Sequence, residues 1–295
     1  MMILRAALAV LALAVPARAE LPILPVTSPG GLTAWLIEDH SIPFMALEIR
    51  FEGGTNLDDP ARRGAVNLMA ALLEEGTGDL DAQGFAEARE ALAADFGFEA
   101  GRDVVSVSAR MLTENRDAAV ELLRGAVTAP QFDPEAIERV RGQVLSNIAS
   151  DEKDPDALAG LAFARLAYGD HPYGAPSDGT ATSVAALTRD DLLAAWRATM
   201  ARDRVFIAAS GDITPEALGL MIDRILGDLP ATGAPQPPRV DWTLGAGVTV
   251  QDFPVPQSVV LFGQSGIKRD DPDFFAAFIL NEVLGGGRFG TRLMK

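Results

Sequence analysis

The chain has 295 residues, with 25 Lys plus Arg against 41 Asp plus Glu, a formal net charge of −16, two histidines and no cysteine. That composition excludes a disulfide scaffold, a cysteine-ligated metal site, a thiol nucleophile and a basic nucleic-acid-binding surface. With 48% hydrophobic and 22% charged residues, it has the material for a real core and lacks the signature of disorder. In chain order, Arg5 precedes the apolar run Ala6 to Val15, and Pro16-Ala17-Arg18-Ala19 ends in a small-x-small cleavage signal. This predicts a signal peptide over residues 1–19, because a membrane-spanning helix needs about 20 apolar residues. The mature chain is expected to be exported, with a cysteine-free composition compatible with a bacterial periplasm. Its acidic charge disfavours nucleic acid and anionic lipid, and no stable membrane insertion is expected.

Leu32–Ile37 and Phe44–Phe51 read as strands around the polar tract Glu38 to Ser41, which predicts a hairpin. Asp58-Asp59-Pro60 reads as a helix start, followed by Val66, Met69, Leu72 and Leu73 at helical spacing and a stop at Gly76. A second helix is expected from Asp81 to about Asp95, then a strand at Val105–Ala109, a helix from Arg116 to Val127 and a long helix from Pro134 to about Asp151. Further helices are expected over Ala157–Tyr168, Arg189–Met200 and Pro215–Gly227, with a strand at Val205–Ser210. The resulting fold class is α+β, with helices packed on a mostly antiparallel sheet.

Residues 20–229 form a first domain in this reading, and the Pro- and Gly-rich stretch 230–238 is a linker. Residues 239–295 restart the pattern, with strands at Val248–Phe253 and Ser258–Phe262 and an apolar helix from Asp273 to Leu284. Two strands and a helix bury little by themselves, so this second domain reads as truncated or completed by another polypeptide.

Gly53-Gly54, Arg63-Gly64, Glu75-Gly76-Thr77, Gly169-Asp170-His171-Pro172-Tyr173-Gly174, Gly211-Asp212 and Leu284-Gly285-Gly286-Gly287-Arg288-Phe289-Gly290-Thr291-Arg292-Leu293 follow one another along the chain. In this order they resemble the landmarks of the pitrilysin, or insulinase-type, zinc metallopeptidases, and of their processing-peptidase branch. Active members of that family carry His-x-x-Glu-His in the helix before the Gly-Thr pair. Here Asn67, Ala70 and Ala71 stand at those positions, and Asn147 stands where a further glutamate ligand is expected. Amides and methyl groups cannot replace two imidazoles and a carboxylate around zinc. The resemblance therefore implies a chain that is not an enzyme by itself and holds no cofactor, with zinc only in an active homologous peptidase subunit that partners it. It also implies that an edge strand at Phe98-Glu99-Ala100-Gly101 pairs with unfolded or extended peptides, while an edge strand that merely finishes the sheet is the other reading. A peptide-binding or scaffold module without a proteolytic partner, and a peptidase with unconventional ligands, stay open as alternatives.

Other motifs carry less. His40 sits in a polar turn and reads as a surface residue, and His171 reads as holding its turn by side-chain hydrogen bonds. Gly285-x-Gly287-x-x-Gly290 has the spacing of a dinucleotide fingerprint but follows a helix rather than a strand. Glu74 and Glu75 are adjacent and so point in different directions, as solvated charges do.

Overall fold

The computed structural model of the protein describes residues 22–287 and 290–294, so the expected signal peptide lies outside the described residues. Six strands form one sheet: β1 (Leu24–Thr27), β2 (Thr33–Glu38), β3 (Phe44–Glu52), β6 (Asp95–Ala100), β7 (Val104–Leu112) and β8 (Val205–Gly211). The spatial order is β1-β2-β8-β3-β7-β6, and β4 (Gly76–Thr77) and β5 (Leu80–Asp81) make a small separate ladder. Among the described residues, only β2 and β8 run parallel, and the other pairs are antiparallel. Alternation decides which face is covered. Leu36, Ile49, Val107 and Ile207 are buried, whereas Trp35, Phe206, Arg50 and Ser108 on the other face are exposed.

The helices lie on the buried face. These are α1 (Ala65–Ala71), α2 (Ala82–Ala91), α3 (Arg116–Thr128), α4 (Pro134–Asp151), α6 (Ala181–Ala186), α7 (Arg189–Thr199) and α8 (Pro215–Leu226), while α5 (Pro155–Tyr168) and α9 (Phe274–Gly285) belong to a second unit. α3 buries Ala119, Val120, Leu122, Leu123, Ala126 and Val127, the one-sided stripe of an amphipathic helix. α8 starts at a Thr214 cap with Pro215 in its first turn and buries Leu218, Met221, Ile222 and Ile225 against α3 and β1.

The predicted hairpin does not form, because β8 lies between β2 and β3. The connecting tract has no two-residue Asn-Gly or Asp-Gly turn of the kind that closes a hairpin. It crosses the end of β8 instead. The Asp39 N–H donates to the Gly211 carbonyl at 3.0 Å, and the Asp212 N–H donates to the Phe44 carbonyl at 2.9 Å. Gly211 has a φ of 121°, and a Cβ there would collide with the Phe44 carbonyl. His40 lies in this crossing, with Nδ1 2.6 Å from Asp212 and Nε2 2.9 Å from Glu38. Those two carboxylates raise its pKa by hydrogen bonding to the charged form.

Contacts divide the described chain into two units. One contains residues up to 149 with 176–237, and the other contains 150–175 with the described residues from 238 onward. In the second unit, Trp242 stands edge-on to Tyr168 with ring centroids 5.9 Å apart, and the Thr243 N–H donates to Ala167 at 3.0 Å. His171 accepts from the Tyr173 N–H at 3.2 Å and donates from Nε2 to the Pro238 carbonyl at 3.1 Å. The strands expected at 248–253 and 258–262 are absent among the described residues. Side-chain alternation favours a strand, but ladder partners decide it, and here Val248 and Phe262 are 90% and 81% exposed. On α9, Phe275, Phe278, Ile279 and Leu280 are all more than half exposed.

Each large apolar side chain left in water forgoes about 1.5 to 3 kcal/mol, so the unit holding α9 is expected to open first. Limited proteolysis of the purified chain is expected to cut between Leu229 and Pro238, or within 239–273, before it cuts the sheet. First cleavage inside β3 or β7 would contradict this.

Candidate functional site

The entry to α1 is built in two steps rather than as one helix from Asp58. Asp59 caps a single 3-10 turn at Pro60–Arg62 by accepting from the Ala61 N–H at 2.8 Å. The chain then breaks at Gly64, whose φ of 90° is left-handed and whose missing Cβ leaves room for the Asp178 carbonyl. Asp58 reaches across the break. Its two carboxylate oxygens accept from the Gly64 N–H at 2.8 Å and the Val66 N–H at 2.9 Å, satisfying donors that a helix start leaves unpaired. α1 stops at Ala71, short of the predicted Gly76.

Later segments hold this entry in place. Ser183 Oγ donates to the Arg63 carbonyl at 2.8 Å, and Arg62 pairs with the buried Asp191 of α7. Arg141, itself buried, donates to the Val184 and Leu187 carbonyls. Sequence reasoning missed these partners, because Arg62, Arg141, Ser183 and Asp191 come together only through tertiary structure. With its start fixed, α1 packs Leu68, Met69 and Leu72 into the core and lies against α7 and β6.

Asn67, Ala70 and Ala71 follow i, i+3, i+4 spacing on α1; Ala70 is buried, and Asn67 and Ala71 are half-buried. Asn147 is on the exposed side of α4, where it accepts from Gln143 Nε2 at 3.4 Å while Val144 and Ile148 turn inward. These four residues do not fit zinc, which takes imidazole, thiolate and carboxylate ligands. Among the described residues, no three His, Cys, Asp or Glu side chains gather so as to hold a metal ion. Glu75 pairs with Arg139 and Glu74 with Arg89 at 3.1 Å, so the two acids diverge.

Phe98, Glu99 and Ala100 lie in β6, and Gly101 begins the turn into β7. Among the described residues, β6 pairs with β7 alone and ends the sheet. The Gly101 N–H donates to the Val104 carbonyl at 2.8 Å, and Glu99 and Gly97 stand opposite Ser106 and Ser108. Hydrogen-bonded pairs alternate along an antiparallel ladder, so Phe96, Phe98 and Ala100 direct their backbone groups to the free edge. The opposite edge, β1, has four residues and contains Pro25, which blunts pairing.

Burial raises the Asp58 pKa from 3.8 to about 6, against the lowering effect of the hydrogen bonds from Val66 and Gly64. The folded state thus binds its proton more tightly than the unfolded state. The stability associated with neutral Asp58 is present below about pH 4 and is lost as pH rises through about 6, a change of about 3 kcal/mol. Denaturant unfolding of wild type and Asp58→Asn across this range is expected to show wild type losing stability relative to the variant as pH rises. A constant difference would contradict the assignment.

Residues 33–181 match the family described as Insulinase (Peptidase family M16), and residues 186–295 match the Peptidase M16 inactive domain. A non-peptidase homolog from Helicobacter pylori is 28% identical over 259 residues, covering 88% of this chain and 60% of that protein. An uncharacterized zinc protease from Streptomyces coelicolor is 26% identical over 280 residues, covering 91% of this chain and 60% of that protein. The chain thus spans 60% of the length of each of these curated relatives. The crystal structure of a peptidase M16 inactive domain from Pseudomonas fluorescens superimposes with a TM-score of 0.78 at 29% identity, covering 93% of this chain and 67% of that one.

Proposed function

This chain belongs to the insulinase (M16) peptidase family, and we propose that it is a catalytically inactive member that pairs with an active homologue. The observation that carries the reading is the α1 face itself, where Asn67, Ala70 and Ala71 stand at the motif positions and offer neither imidazole nor carboxylate. The match to an inactive domain and the relative named as a non-peptidase homolog support it. Zinc and its activated water belong to the partner in this account. The present chain supplies wall surface to a shared peptide chamber, together with the β6 edge, on which Phe98, Glu99, Ala100 and Gly101 take an extended peptide by backbone pairing. Export to the periplasm is part of the proposal, on the strength of Arg5, the apolar run after it and the Ala17-Arg18-Ala19 signal.

Elemental analysis of the purified chain is expected to find no stoichiometric zinc, and the chain alone is expected to leave an unfolded peptide intact. One tightly held zinc per chain would overturn the proposal. Purification from the native host is expected to bring down a homologue with an intact His-x-x-Glu-His in equal amount. Purification of the chain without such a homologue would favour the scaffold alternative.

A further inference from the structure

Resting on the strand-pairing role of β6, we infer that the extended peptide it takes carries a basic side chain opposite Gly97 and apolar side chains on either side of that position. Neighbouring strands place directly opposed side chains on the same face of a sheet, so the two faces of β6 prescribe an added strand's alternate residues. On the helix-covered face, Phe96 is buried, and Phe98 and Ala100 pack against the core, as does Ala71 of α1. A peptide residue opposite Phe96 or Phe98 meets hydrocarbon there. Asn67, Ala70 and Ala71 on α1, the helix that packs against β6, carry no charge themselves.

The open face has the opposite character. Asp95 and Glu99 are exposed, and Gly97 between them has no side chain. A Cβ at Gly97 would stand 2.8 Å from Ser108 Oγ on the adjacent strand, so a side chain there would oblige the serine to turn away. Moving inward along this row, Gly97 is followed by Ser108 and then by Glu48. A long side chain from the residue opposite Gly97 therefore finds a low floor, with Asp95 and Glu99 as its diagonal neighbours at about 7–8 Å between strands. Asp95 shares Arg110 at 3.7 Å in an exposed pair, and Glu99 makes no ion pair among the described residues. Lys or Arg complements that setting, and a net charge of −16 favours the same sign of partner at longer range. An acidic residue at this position meets two carboxylates of its own sign. The selected segment is thus an extended apolar–basic–apolar stretch.

The test uses the full chain and two labelled synthetic peptides of about nine residues, Leu alternating with Arg in one and with Glu in the other, with binding read by fluorescence anisotropy. Wild type is expected to bind the Arg peptide about tenfold more tightly than the Glu peptide. Glu99→Gln is expected to weaken Arg-peptide binding about threefold, and Glu216→Gln, a charge change on α8, is expected to leave it unaltered. Ala100→Pro removes an edge donor and is expected to weaken any strand-paired peptide whatever its charge. If Ala100→Pro weakens binding while Glu99→Gln and Glu216→Gln behave alike, charge selection at Gly97 is overturned and strand pairing stands. If Ala100→Pro leaves the affinity unchanged, or the Arg peptide fails to bind wild type at millimolar concentration, the pairing and the selection fall together.

Discussion

Helix α1 begins where Gly64 takes a φ of 90° and Asp58 folds back to accept from Gly64 and Val66. Asn67, Ala70 and Ala71 follow this break directly, on a helix that lies against α7 and β6. The arrangement is costly, since it keeps a carboxylate out of water and raises its pKa. Arg62, Ser183 and the backbone near Asp178 close round the same turn. Together these contacts hold the start of α1 in one register.

Side-chain chemistry and backbone geometry have separate fates at such a site. Ala70 is buried among apolar neighbours, so a methyl group there is compatible with the core once no metal has to be served. The β6 edge, in contrast, is a property of peptide groups. It survives any loss of ligands as long as β7 pairs on one side and nothing pairs on the other. Backbone pairing at such an edge is therefore independent of whether metal ligands lie beside it.

Much of the fold was legible in the sequence because its signals are local. The apolar stripes of α3 and α8 and the alternation of β3 and β7 each arise within one segment. Failures came where a distant partner decides. The tract from Glu38 to Ser41 looked like a turn between neighbours, but β8, far along the chain, wedges between β2 and β3. Val248 to Phe253 has the alternation of a strand and no ladder. At the site, the motif positions were read from the resemblance to the family's landmarks, whereas Asp191, Ser183 and Arg141 were invisible because their partners are carbonyls or charges in other segments.

The central claim is that this chain contributes binding surface and no chemistry of its own. Its most direct test is hydrolysis of one unfolded peptide by a homologue carrying an intact His-x-x-Glu-His, measured with that homologue alone, with this chain alone and with the two combined. The account predicts cleavage that depends on both chains, with none from this chain by itself. Cleavage by this chain alone, or a homologue whose rate is indifferent to its presence, would contradict the account.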